Sequence, residues 1–140
     1  DAAFTVTLGA SNVQMRNANL RNADLTNARM PAANLEGAIL DNANLTGTQL
    51  PHADLTKASL NNTTLIRTGM NRANLSQCTF HGALFDETNL RESILTEADL
   101  TQGQFITAHF ALAQVDRAHM TEDMRDSAAP GHGTPVFDGN

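Results

Sequence analysis

The chain has no tryptophan and no tyrosine, and aromatic residues fill only 4% of its 140 positions. A core built on large aromatic side chains is therefore excluded, and cohesion has to come from aliphatic packing and backbone pairing. The single cysteine, Cys78, rules out an intrachain disulfide and any Cys-x-x-Cys motif. No apolar run approaches the length of a membrane-spanning helix. A Gly-rich phosphate loop, a nucleophile elbow and a His-Glu-x-x-His pair are all missing. Nothing points to an enzyme, and no cofactor is expected.

What is present is a strict period of five. From Met15 to Met120 every fifth residue is Leu, Met, Phe or Val, giving 22 pentapeptides in one phase with no insertion or deletion. Two residues before each centre stands Ala, Thr, Ser, Gly or Cys, with Val13 as the exception. Ala18-Asn19-Leu20, Ala23-Asp24-Leu25, Ala43-Asn44-Leu45 and Ala98-Asp99-Leu100 show the pattern clearly. On an α-helix such centres would fall about 140° apart and form no stripe. On one long strand they would alternate between faces. A small and a large residue two apart can both point inward from a short extended piece. Thr26-Asn27, Glu36-Gly37, Asp41-Asn42 and Pro51-His52 then supply corners. Corners turning one way wind the chain into a coil whose turns stack, burying the centres and pairing the backbones.

This A-[DN]-L-x-x pattern resembles the pentapeptide repeat family over residues 13–122. The resemblance implies an all-β architecture, a right-handed quadrilateral parallel β-helix with four pentapeptides per coil. Twenty-two repeats then make about 5.5 coils, a height of roughly 26 Å at ordinary strand spacing. Within it, Leu20, Leu25, Leu45, Leu65, Phe85 and Phe105 are expected in the core ladder. Phe85 and Phe105 fall on one face and should stack. Thr48, Thr63, Thr68, Thr88, Ser93 and Cys78 occupy the small inward position, where each hydroxyl needs a backbone partner. Cys78 there reads as buried packing and not as a reactive thiol.

Solenoid ends need caps. Residues 1–12 are expected to form an N-terminal cap, with Phe4, Val6 and Leu8 alternating as a strand. Residues 123–140 are expected to form a C-terminal cap and irregular tail. Thr121 would N-cap a short helix through Met124 or Asp126, and Val136 and Phe137 would dock on the end. The chain begins at Asp1 and not at Met, which suits a processed protein, a trimmed form or a part of something longer. A cytoplasmic location is the default expectation, with a processed lumenal or secreted form as the alternative.

Function is read from the outer surface. The histidines His52, His81, His109, His119 and His132 form no ligand pattern. Asp24, Asp54 and Asp99 share their place with Asn19, Asn34, Asn44, Asn74 and Asn89, so this position reads as side-chain bonding to local backbone. Charge is uneven: residues 1–80 carry a net +1 and residues 81–126 a net −6. A regular outward threonine array, as ice binding requires, is broken where Ile66 and Asp86 follow Thr26 and Thr46.

Four pentapeptides per coil place Ile66, Leu84 and Ile106 outward on one face, on three successive coils, beside Asp86 and Glu87. Ile39 and Ile94 stand alone on other faces. The leading expectation is a non-enzymatic scaffold that binds another protein through this patch. The alternative, implied by the family resemblance, is a DNA-mimicking regulator of DNA gyrase of the quinolone-protection type, dimeric through residues 121–128. Arg16, Arg21, Arg29, Arg67, Arg72 and Arg91 interrupt the acidic surface that a mimic needs. Direct nucleic-acid binding is not expected without a basic stripe, and neither is membrane association.

Overall fold

The structure is a computed structural model and describes residues 11–121. The expected N-terminal strand, the C-terminal helix and the tail contacts lie outside the described residues. So does the proposed dimer segment, apart from Thr121. The described residues contain no helix and form an all-β solenoid.

Parallel pairing joins the residue before each centre to the one 20 positions on: Gln14 with Asn34, Asn34 with Asp54, Asp54 with Asn74, Asn74 with Ile94, and Ile94 with Gln114. One coil is therefore four pentapeptides, and the coil has four faces. Centres Met15, Leu35, Leu55, Leu75, Leu95 and Val115 share the first face. Leu20, Leu40, Leu60, Phe80, Leu100 and Met120 share the second. The third holds Leu25, Leu45, Leu65, Phe85 and Phe105, and the fourth Met30, Leu50, Met70, Leu90 and Phe110. From Leu25 to Leu100 every one of these centres is essentially inaccessible to solvent.

The hydrogen bonds explain why five residues repeat. In each pentapeptide the centre donates to the next coil (Met15 N to Asn34 O, 2.7 Å). The residue before it donates to the preceding coil (Asn34 N to Val13 O, 2.8 Å). The second corner residue also reaches the next coil (Asn17 N to Glu36 O, 2.8 Å), and the small residue closes the turn (Ala18 N to Met15 O, 3.1 Å). One N–H, that of the first corner residue, is left over. The side chain before the centre takes it: Asn19 Oδ1 accepts from Arg21 N, Asp24 Oδ1 from Thr26 N, and Asn44 Oδ1 from Thr46 N. This accounts for Asn and Asp at that position, since an unpaired backbone donor is costly.

The second corner residue has positive φ in every repeat from Asn12 to Arg117, with the exceptions of Gln102 and Thr107. Asn or Gly suits this left-handed backbone, yet Lys57, Arg67, Glu97 and Leu112 adopt it as well. At Gly47 a side chain would collide with Asn27 Oδ1 of the coil below, so glycine there also makes room for its neighbour.

Inward polar groups are satisfied. Thr48 Oγ1 donates to Leu25 O (2.7 Å), Thr63 Oγ1 to Leu40 O (3.1 Å), Thr68 Oγ1 to Leu45 O (2.7 Å), and Thr88 Oγ1 to Leu65 O. Each reaches the turn carbonyl of the coil below. Ser93 bonds its own corner at Leu90 O instead. Cys78 Sγ lies 2.9 Å from Leu55 O, and burial pushes its thiol up to about 12, which leaves no thiolate for chemistry.

On the third face the Asn/Asp position becomes Thr64, Leu84 and Gln104 in successive coils. There the corners widen into strands β1 (Thr64–Ile66), β2 (Leu84–Asn89) and β3 (Gln104–His109), forming one parallel sheet in the order β1-β2-β3. Phe85 and Phe105 stack within it, with ring centroids 4.4 Å apart and planes 13° from parallel. Phe80 and Phe110 extend the aromatic contacts at 5.2 and 5.9 Å. Phe105 packs against the core as the end of this ladder, but it is only partly buried. Its ring leans into the space that Gly103 leaves open.

Candidate interaction surface

The structure places the sequence-predicted surface residues on and beside the third corner. Thr64 pairs with Leu84 and Leu84 with Gln104, while Ile66 pairs with Asp86. Ile66, Leu84 and Asp86 are half-buried, and Glu87 is exposed. Ile66, Leu84 and Ile106 are not evenly presented on the three coils. A register shift between β2 and β3 sets Thr107 opposite Asp86 and leaves Ile106 as the extra residue of a bulge. The consequence is exposure: Ile106 is 69% accessible. Gln102 and Thr107, the two corner residues without positive φ, flank the same segment. Leu112, at 59% accessible, is a second exposed aliphatic, and its φ is +61°. Sequence reasoning passed over it because leucine gives no turn signal.

Charge pairing separates this corner from the other three. Arg16 meets Glu36 at 2.9 Å on the first corner, where Arg117 also approaches Glu97 at 3.6 Å. Arg21 meets Asp41 at 3.2 Å on the second. Arg72 meets Glu92 at 2.7 Å on the fourth, which raises the arginine and lowers the glutamate from their ordinary values. Every one of these pairs joins residues 20 apart, one coil to the next. The third corner has no ion pair among the described residues. Asp86 and Glu87 stand there beside the exposed Ile106, the half-buried Ile66 and Leu84, and Arg67. The arginines that seemed only to dilute an acidic surface are, in several cases, its direct partners.

A polar chain runs from coil to coil along the second corner. Arg21 bonds Asp41, Asp41 accepts from the Ser59 hydroxyl and the Asn61 N–H, and Asn61 accepts from His81 N at 3.0 Å. Burial works to raise Asp41, but the Ser59, Asn61 and Arg21 contacts outweigh it and hold the carboxyl below its usual value. His81 Nε2 lies 2.8 Å from Asp99 Oδ2. That contact, followed by those from Thr101, brings Asp99 down to about 2. His81 and His119 flank Asp99 along the face, yet no group of side chains among the described residues is placed to hold a metal. The pairings are those of a structural network, in which each carboxylate is occupied by its neighbours.

Comparison with known sequences agrees with this geometry. The family described as pentapeptide repeats matches in 8 copies, over residues 11–47, 32–67 and 73–110. The chain belongs to the pentapeptide repeat family. Sequence comparison with curated proteins gives no match. Among solved structures, trypsin-treated QnrB1 (R167E), a plasmid-mediated fluoroquinolone resistance protein, superposes with a TM-score of 0.72 at 13% identity. The match covers 77% of this chain and 56% of that one, so the chain spans little more than half of the QnrB1 length. A pentapeptide repeat protein from the Arabidopsis thaliana thylakoid lumen gives a TM-score of 0.60 at 19% identity, covering 90% of this chain and 85% of that one. At these identities the likeness establishes the repeat β-helix fold.

Proposed function

We propose that this pentapeptide repeat protein is a non-enzymatic scaffold: a right-handed, four-sided rod of about five and a half coils that binds another protein through its third corner. The contact comprises Ile66, Leu84, Asp86, Glu87 and Ile106. The observation that carries the reading is the contrast between corners. Each of the other three carries at least one ion pair from coil to coil, whereas the third carries none among the described residues and sets Ile66, Leu84 and Ile106 beside Asp86 and Glu87. Apolar side chains clustered on a rigid sheet supply contact area with little loss of conformational freedom on binding. Replacing Ile66 and Ile106 together by Lys should abolish capture of the partner from a cell extract and leave the melting curve unchanged. Retained capture by the doubly substituted chain would exclude this corner.

A second reading rests on the net charge of −6 over residues 81–126: a regulator that presents acidic groups to the DNA-gripping surface of a topoisomerase. The pairing of Glu92 with Arg72, and the approach of Arg117 to Glu97, weaken the negative field that such mimicry requires. A gyrase supercoiling assay separates the two readings, because only the second expects inhibition.

A further inference from the structure

A separate feature lies on the fourth face, in the first coils of the rod. Pro31 and Pro51 stack one coil apart at the fourth corner, and their rings form a stiff wall. With Ser11, Asn27, Arg29, Gly47 and Gln49 they line an open cavity of about 650 Å³. This is within the usual size range of small-molecule sites. The Asn27 side chain packs over Gly47, and Gln49 is held beside them by an Nε2 hydrogen bond to Gly47 O at 3.1 Å.

Among the described residues, the charges in this part of the rod are accounted for except one. Residues 11–50 contain Arg16, Arg21, Asp24, Arg29, Glu36 and Asp41. Arg16 is paired with Glu36 and Arg21 with Asp41, while Asp24 accepts from Thr26. Arg29 alone among them has no such partner, and it is the charged residue lining the cavity. Among the described residues, no carboxylate lines it. The Ser11 hydroxyl and the Asn27 amide add polar groups at the rim, and the proline rings offer an apolar surface.

We propose that this cavity binds a small organic anion, its carboxylate gripped by the Arg29 guanidinium and its apolar body resting on Pro31 and Pro51. A planar guanidinium matches a carboxylate with two parallel hydrogen bonds, whereas a neutral analogue forfeits the charge-assisted part of that contact. The cavity reaches the third corner at Asn27 and Gly47, one coil below Ile66, but none of the proposed interface residues lines it, so Arg29→Gln tests this site without altering that contact.

The test is a titration of the full chain with benzoate, followed by NMR at the Arg29 Nε–H and the Asn27 and Gln49 side-chain amides. The expected result is a saturating shift confined to the lining residues, at least about tenfold weaker with benzyl alcohol. Arg29→Gln should weaken benzoate binding by a similar factor. Gln occupies the equivalent outward position at Gln49, so the variant is compatible with the fold, and its spectrum reports folding directly. Absence of a saturating shift, or equal binding by Arg29→Gln, would overturn the site. Inorganic phosphate binding as tightly as benzoate would overturn the assignment of an organic ligand, since phosphate makes no use of the proline wall.

Discussion

At the scale of single residues, the position before each centre does more than face outward. Asn44 Oδ1 accepts from both the backbone N–H and the hydroxyl of Thr46, at 3.1 and 2.7 Å. Asn44→Ala would strand that N–H at the corner. The expected cost is about 1 kcal/mol, read as a lower midpoint in a denaturant melt. The free exchange of Asn and Asp between repeats already showed in the sequence that a local acceptor was wanted. Which corner residue adopts left-handed backbone was not legible, because Lys57, Arg67 and Leu112 carry no signal for it. Lys57 has a φ of +62°, so Lys57→Asn should stabilise the chain by about 0.5–1 kcal/mol, measured in the same melt.

Asp99 gives a pH signature at the same scale. Its folded pKa of about 2 lies below the ordinary carboxylate value, so the ionised form is favoured by folding. Its contribution is complete above about pH 4 and lost as the pH falls towards 2. Asp99→Asn keeps a side-chain acceptor for the Thr101 N–H but has no charge to titrate. The variant's thermal midpoint should therefore fall less steeply than that of the parent between about pH 4 and 2. Parallel slopes would show that the His81–Asp99 contact does not persist in solution.

At the scale of the coil, the inward ladder was readable from the period of five because nothing interrupts it from Met15 to Met120. Leu65 is fully buried between Leu45 and Phe85, and Leu65→Ala should cost about 2–5 kcal/mol in a denaturant melt. A change under about 0.5 kcal/mol would contradict its inward placement. The inward hydroxyls were expected to need partners, and the turn carbonyls of the coil below provide most of them. The bulge at Ile106 was not legible. A strict spacing implies an even column, whereas the large Phe105 ring stacked on Phe85, the space at Gly103 and the lost left-handed corners at Gln102 and Thr107 shift the local register. Repeat counting locates a residue along the chain, but packing inside the coil decides how far its side chain protrudes.

At the scale of the whole molecule, the rod presents corners of different character. Charge counts along the sequence showed an acidic end. They did not show that Arg72 and Glu92, or Arg21 and Asp41, meet across one coil, because the 20-residue separation acquires meaning only once four repeats are known to close a turn. Ion pairs join coils at three corners, and the third is left with the exposed Ile106, the half-buried Ile66 and Leu84, and the carboxylates of Asp86 and Glu87. The most direct measurement is photo-crosslinking from a reactive amino acid placed at Ile106, with the same group at the exposed Gln114 on the first face as control, both in one cell extract. The expected result is a discrete adduct from position 106 that is missing from position 114 and lost when Ile66→Lys is added. Equal labelling from both positions, or an adduct that survives Ile66→Lys, would contradict the assignment of the third corner as the binding surface.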